Sequence, residues 1–70
     1  MFEYEIVKTL GVITERHDRV LEVNIVSWNR HDPKVDIRWW DKDHEKMYKG
    51  VAITDDEAQV LLKILKERYE

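Results

Sequence analysis

The 70-residue chain has no cysteine, one proline and two glycines. The lack of cysteine excludes disulfides and thiolate zinc sites. Because proline and glycine are so rare, we expect nearly the whole chain to be regular secondary structure within one domain, residues 1–70. A domain of this size buries only about 60% of its unfolded surface, so close packing or oligomerisation must stabilise it.

Long apolar runs are absent too. No segment approaches the roughly 20 apolar residues that span a bilayer. The first residues, Met1 to Glu5, lack the basic region and the apolar core of a signal peptide. We therefore expect a cytoplasmic protein without a membrane partner.

Signatures of catalysis and of metal binding are also lacking. The chain has no glycine-rich phosphate loop and no serine with a local base signature. Histidine and carboxylate side chains cluster in two loops, but without the spacing of a helical zinc site or a calcium loop. We interpret them as solvated turn residues: His31, Asp32, Asp36, Asp41, Asp43, His44 and Glu45. The expectation is a protein that is not an enzyme and needs no metal or other cofactor.

The formal net charge of −3 argues against a nucleic-acid partner, because phosphates attract lysine and arginine. The distribution of charge weakens this objection. Residues 28–50 hold six basic residues against five acidic ones, whereas the segments on either side each hold five acidic against three basic. The same middle segment contains all three tryptophans. A nucleic-acid partner would therefore bind there.

Alternation of apolar and polar residues predicts four β-strands. Gly11 lies where the alternation of the first strand loses phase, which indicates a bulge. Pro33 cannot donate to a sheet ladder and marks a loop between the second and third strands. The predicted strands are residues 3–14, 19–28, 34–40 and 45–53, joined by turns at 15–18, 29–33 and 41–44.

The period changes to that of a helix after residue 53. Thr54 and Glu57 form a capping box that begins it. One apolar stripe then follows the spacing of a helix that packs on a sheet: Ala58, Leu61, Leu62, Leu65 and Tyr69. The predicted fold is α+β, a four-stranded antiparallel sheet followed by one C-terminal helix.

The alternation divides the central strands into two faces. The Trp39 face, which we expect the helix to cover, contains Leu21, Val23, Ile25, Val35, Ile37 and Trp39. The Trp28 face, which we expect to be open to solvent, contains Glu22, Asn24, Val26, Trp28, Lys34, Asp36, Arg38 and Trp40. If the fourth strand has no bulge, it adds Lys46, Tyr48 and Gly50 to the Trp28 face and Met47, Val51 and Ile53 to the Trp39 face.

Cations interleaved with aromatic rings on the Trp28 face suit unpaired bases, because the rings stack on bases and the cations hold phosphates. The pattern alone leaves open a protein-interaction module, since exposed apolar patches often mark protein contacts. A double-stranded DNA regulator fits less well, because a helix so acidic at its start is a poor reader of the major groove. On the helix, Val60 and Ile64 lie away from the core stripe and predict a homodimer interface.

Several motifs resemble the positive cofactor four family, most closely its small bacterial members of the YdbC type. The resemblance covers roughly residues 3–66. Its motifs are Val26-Ser27-Trp28-Asn29, Pro33-Lys34, Asp36-Ile37-Arg38, Trp40, Asp43-His44-Glu45-Lys46-Met47 and Lys49-Gly50. It implies the fold predicted above, a homodimer, binding of single-stranded DNA with little sequence preference, and a coactivator-like role in transcription.

The resemblance also implies roles for individual residues. Trp40 takes the position of the main base-stacking residue, Trp28 that of a second one, and Lys49 that of a basic contact. Simple alternation places Lys49 on the Trp39 face, so this role requires a bulge in the fourth strand. The expected nucleic-acid site is Trp28, Lys34, Arg38, Trp40, Lys46, Tyr48 and Lys49. DNA and RNA both remain open as the ligand, and a partner protein on the same face remains the alternative.

Overall fold

The computed structural model describes residues 2–70, which form four strands and one helix. The elements are β1 (Tyr4–Arg16), β2 (Arg19–Trp28), β3 (Lys34–Asp41), β4 (Met47–Ile53) and α1 (Asp55–Tyr69). The strands form one antiparallel sheet in the order β1-β2-β3-β4. The predicted α+β fold is confirmed. The bounds differ by two residues at two places. β1 continues to Arg16, so that only His17 and Asp18 form the first turn, and β4 begins at Met47 rather than at residue 45.

β1 is the irregular strand of the sheet. Three register shifts leave Val7, Leu10 and Ile13 without a partner on β2, and each is about half exposed. The predicted bulge beside Gly11 is confirmed, with one further bulge on either side of it. Because bulges bend a strand and increase its twist, they let the N-terminal part of β1 curl over the sheet.

The two faces of the sheet are buried in the opposite sense to the prediction. Every buried residue lies on the Trp28 face: Val20, Glu22, Asn24, Val26, Asp36 and Trp40. The Trp39 face is only half buried, and so is Trp39 itself. The predictions that the Trp28 face is open and that Trp39 is a core residue are therefore wrong for the single chain. The cause is that the curled end of β1 and the turn after β3 both fold over the Trp28 face.

A bulge also lies in β4, contrary to the simple register. Gly50 pairs with Arg38 and Met47 pairs with Trp40, so β4 has one residue more than β3 in between. Paired residues share a face, which places Met47 on the Trp28 face. Tyr48 instead lies under the guanidinium of Arg19, at the Trp39 side. The predicted faces of Met47 and Tyr48 are wrong. The bulge lies at Tyr48 and Lys49, but Gly50 stays on the Trp28 face through its pairing with Arg38, so Lys49 remains on the Trp39 side, where simple alternation places it.

Helix α1 begins as predicted. The Thr54 hydroxyl accepts a hydrogen bond from the Glu57 amide at 3.2 Å, and the Glu57 carboxylate accepts one from the Thr54 amide at 2.7 Å. The bonds from Thr54 lower the pKa of Glu57, because they stabilise its charged form.

The apolar stripe of the helix is less buried than predicted. Ala58 and Leu61 are half buried, but Leu62, Leu65 and Tyr69 are exposed, so their assignment to the core is wrong within one chain. The reason is that the helix contacts the sheet mainly at β3. Within residues 2–70, no helix has the length and apolar character needed to cross a membrane.

Candidate nucleic-acid interface

Five rings form a continuous cluster on the Trp28 face. The ring centroids of Phe2 and Tyr4 lie 5.9 and 5.8 Å from that of Trp28 and 6.2 Å from each other. Tyr4 reaches across β2 to Trp40 at 5.6 Å, and His44 lies 5.5 Å from the same indole. All pairs are tilted by 36–47°, at separations typical of favourable aromatic contacts.

The cluster is graded from solvent to core. Phe2 is 60% exposed, Tyr4 is 36% exposed, Trp28 is half buried and Trp40 is fully buried. The prediction that Trp40 is exposed is therefore wrong, and its ring forms the floor under Tyr4. The sequence did not assign Phe2 and Tyr4 to the site, because Phe2 precedes the predicted first strand and the three bulges destroy the alternation that would assign Tyr4 to a face. Their aromatic character was the only signal in the sequence.

The loop after β2 holds the start of the chain over Trp28. The Glu3 amide donates to Asn29 Oδ1 and the Asn29 amide donates to the Glu3 carbonyl, both at 2.8 Å. Asn29 and Arg30 have φ of 49° and 65°, a left-handed pair typical of a tight hairpin turn. Arg30 also forms an exposed ion pair with Glu3 at 3.3 Å. These contacts fix the chain direction that places Phe2 against Trp28.

Arg38, which we predicted as a phosphate contact, is held inside the protein. Its Nε lies 3.0 and 3.3 Å from the two carboxylate oxygens of Asp36, and its Nη2 donates to the same carboxylate at 3.0 Å. Its Nη1 donates to the Tyr48 carbonyl at 3.0 Å. The guanidinium carbon lies 4.9 Å from the Trp28 ring centroid. Because Arg38 is only 16% exposed and Asp36 is fully buried, this pair acts as a clamp beside Trp28.

Gly50 lets β4 approach that clamp. A Cβ at position 50 would lie 2.6 Å from the Ile37 carbonyl oxygen and would also clash with the side chain of Arg38. Only glycine fits there, and this close approach brings the Tyr48 carbonyl within reach of Arg38.

A polar network holds the turn after β3 over Trp40. His44 Nε2 lies 2.9 Å from both carboxylate oxygens of Glu22, and Asn24 Nδ2 donates to the same carboxylate at 3.1 Å. The side chain of Glu22 is only 7% exposed. His44 and Asp36 are thus buried or half-buried structural groups, and their prediction as solvated turn residues is wrong. Residues 2–70 contain no group of three side chains arranged to hold a metal ion.

Three buried polar atoms on the Trp28 face have no hydrogen-bond partner within the described residues. They are the indole nitrogens of Trp28 and Trp40 and the Oδ1 of Asn24. A buried polar group without a partner costs about 1–3 kcal/mol. The Trp28 face therefore contains two donors and one acceptor that the described residues leave unsatisfied.

Three of the predicted cationic residues remain available to a ligand. Lys34, Lys46 and Lys49 are exposed, and none lies within 4.0 Å of a carboxylate oxygen in the described part of the chain. Lys34 pairs with Val26 and so shares the Trp28 face. On the helix, the predicted interface residues Val60 and Ile64 are 59% and 57% exposed.

Comparison with known proteins identifies a family and a relative. A family model described as Transcriptional Coactivator p15 (PC4) matches residues 16–64, which include β2, β3, β4 and most of α1. That family is known for nucleic-acid binding and a coactivator role. A protein of Treponema pallidum (strain Nichols), described as an uncharacterized protein, is 38% identical over 65 residues, which cover 91% of this chain and 76% of the relative. Phe2 and Tyr4 precede the segment that the family model matches.

Proposed function

This chain belongs to the Transcriptional Coactivator p15 (PC4) family, and we propose that it binds single-stranded nucleic acid with little sequence preference, without catalysing a reaction. The observation that carries the proposal is the aromatic cluster on the Trp28 face, with Phe2 and Tyr4 exposed to solvent. Every base has a flat face that can stack on a ring, so binding of this kind tolerates any sequence.

The residues of the predicted site take different roles in this proposal. Phe2, Tyr4 and Trp28 contact the bases because their rings are the accessible ones. Trp40 supports them from below, since a base could reach its ring only after Tyr4 had moved away. The exposed lysines Lys34, Lys46 and Lys49 contact phosphates.

Arg38 acts through Trp28. Its guanidinium makes its hydrogen bonds to Asp36 and to the Tyr48 carbonyl, so it offers little to a phosphate. The contact of its cationic group with the Trp28 ring orients that ring and restricts its rotation. A pre-oriented ring loses less conformational entropy when a base stacks on it.

We also propose that the protein is a homodimer. Val60, Leu62, Ile64 and Leu65 are each about half exposed on a helix that has no buried residue. Isolated apolar residues are common on surfaces, but four on one helix of a small domain indicate a covered interface. A second copy is the occupant that fits best, because two such helices related by a two-fold axis bury Val60 and Ile64, which lie one turn apart, in both copies.

The test of the binding proposal compares one strand with its duplex. An oligothymidine of about 20 nucleotides is titrated into the protein while tryptophan fluorescence is recorded, and the matched duplex is titrated at the same salt concentration. We expect quenching and tighter binding for the single strand. The three lysine contacts should contribute about −2 to the log–log salt slope, from about −0.7 per phosphate on a single strand. Equal or tighter binding of the duplex would contradict the proposal.

A further inference from the structure

The tip of the hairpin between β1 and β2 carries two arginines in an unfavourable arrangement. Arg16 and Arg19 are direct cross-strand partners, and like charges in this position destabilise a sheet. Neither guanidinium lies within 4.0 Å of a carboxylate oxygen in residues 2–70. They lie over rings instead, Arg16 at 5.7 Å from the Trp39 centroid and Arg19 at 3.8 Å from the Tyr48 centroid.

The acidic side chains around this tip are mostly engaged elsewhere. Glu15 pairs with Lys42 at 3.9 Å. Asp41 is the partner of Arg19 on β3, but its Oδ1 accepts hydrogen bonds from two amides of the following turn. Asp18, in the hairpin turn, is the acidic residue that lines the same cavity as the arginines.

That cavity has a volume of about 440 Å³ and is lined by Arg16, His17, Asp18, Arg19 and Trp39. Its size is within the range of small-ligand sites. His17 has a φ of 55°, at a turn position where glycine is favoured. A like-charge pair that persists at such a turn is typical of a functional site rather than of an optimised scaffold.

We propose that this hairpin tip, formed by Arg16, Arg19, Trp39 and Tyr48, is a second contact for single-stranded nucleic acid. Guanidinium groups match the geometry of a phosphate, and a half-exposed indole offers a stacking surface for the adjoining base. The ligand that suits these groups combines a phosphate with a flat ring. A nucleotide of the bound strand has both. The inference rests on the proposed function and extends it to the other end and the other face of the sheet.

The separation of the two contacts determines the length of strand that can use both. Arg19 and Trp28 are the first and last residues of β2, and their side chains lie on opposite faces of the sheet, so a strand must pass round an edge of the sheet to use both contacts. A strand of about three nucleotides is too short for this path and reaches one contact only, whereas one of about 20 reaches both and gains from effective concentration.

The test is the double variant Arg16→Gln with Arg19→Gln, titrated with oligothymidines of these two lengths. Two lost phosphate contacts should weaken binding of the longer strand about 25-fold near 0.1 M salt and reduce the salt slope by about 1.4. Binding of the shorter strand, which uses the Trp28 contact, should stay within about twofold. Asp18→Asn should strengthen binding of the longer strand, by up to about fivefold if it adds the equivalent of one contact.

The matched control is Lys66→Gln with Arg68→Gln, which removes two positive charges from the last turn of the helix. It should leave most of the affinity for the longer strand in place. Unchanged binding of the longer strand by the arginine variant, or an equal loss for both lengths, would overturn the hairpin-tip contact while the proposed function stands. If wild-type protein binds neither oligothymidine, the proposed function fails as well.

Discussion

Arg38 pairs with Asp36 and lies beside Trp28, and two roles for this arginine can be distinguished by experiment. If Arg38 contacts a phosphate, its loss removes one ionic contact. If it orients Trp28, its loss weakens binding without changing the number of ionic contacts. Replacing Arg38 alone would leave the buried Asp36 charge without its partner, at a cost of about 3–5 kcal/mol. That is a large part of the roughly 4–10 kcal/mol expected for a domain of this length.

The informative change is therefore the double variant Asp36→Asn with Arg38→Gln. It removes both charges together, so that no buried charge is left unpaired, and two amides can hydrogen-bond in their place. What it loses is the contact of the guanidinium with the Trp28 ring, 4.9 Å from the centroid. Cation–π contacts contribute about 0.5–2 kcal/mol, so we expect the affinity for oligothymidine to fall about 2- to 30-fold.

The assay is a set of titrations at several salt concentrations, with thermal melting to confirm that the variant is folded. The salt slope should match that of wild-type protein, whereas Lys34→Gln, which removes an exposed cation from the same face, should reduce it by about 0.7. A reduction of about 0.7 in the Asp36→Asn and Arg38→Gln variant would refute the clamp and restore Arg38 as a phosphate contact.

Three further predictions concern stability and assembly. Trp40→Ala should destabilise the fold by about 3–5 kcal/mol, and Trp39→Ala by clearly less, because the first ring is fully buried and the second is half exposed; thermal melting compares them. Gly50→Ala should cost about 1–3 kcal/mol through its clash with β3. Gly11→Ala, where an added Cβ meets nothing within 4 Å, should be neutral or slightly stabilising, and a denaturant titration compares the two glycine variants. Ile64→Asp should shift the sedimentation mass from dimer to monomer, and a wild-type protein that is already monomeric at micromolar concentration would refute the proposed dimer.

The elements of the fold could be predicted because each depends on local pattern. The alternation on either side of Pro33 predicted β2 and β3, and the residues Thr54 and Glu57 predicted the start of the helix. These signals depend only on residues that lie close together in the sequence, so one sequence is enough to predict the elements.

The burial of each face could not be predicted in the same way. Alternation assigned Trp39 and Trp40 correctly to opposite faces, but which face is covered depends on how β1 curls and on where the turn after β3 folds. Both are long-range effects. The contact between His44 and Glu22 joins residues 22 positions apart, and no local pattern indicates it.

The register of β4 failed for a related reason. A bulge can be read from a sequence when it interrupts a clear alternation, as at Gly11 in β1. In β4 the interruption lies at Tyr48 and Lys49, and the residues on both sides fit either register. Because this bulge shifts the register, the prediction that Tyr48 lies on the Trp28 face was wrong.

The central claim is that bases stack on the accessible rings of the Trp28 face, and the affinity of Trp28→Ala for oligothymidine tests it most directly. With the variant shown to be folded by its melting curve, binding should weaken by about 1–3 kcal/mol, the usual loss for one stacked base, which corresponds to about 5- to 150-fold. The salt slope should stay at the wild-type value, because no phosphate contact is removed. A folded Trp28→Ala variant that binds oligothymidine as tightly as wild-type protein would contradict the account.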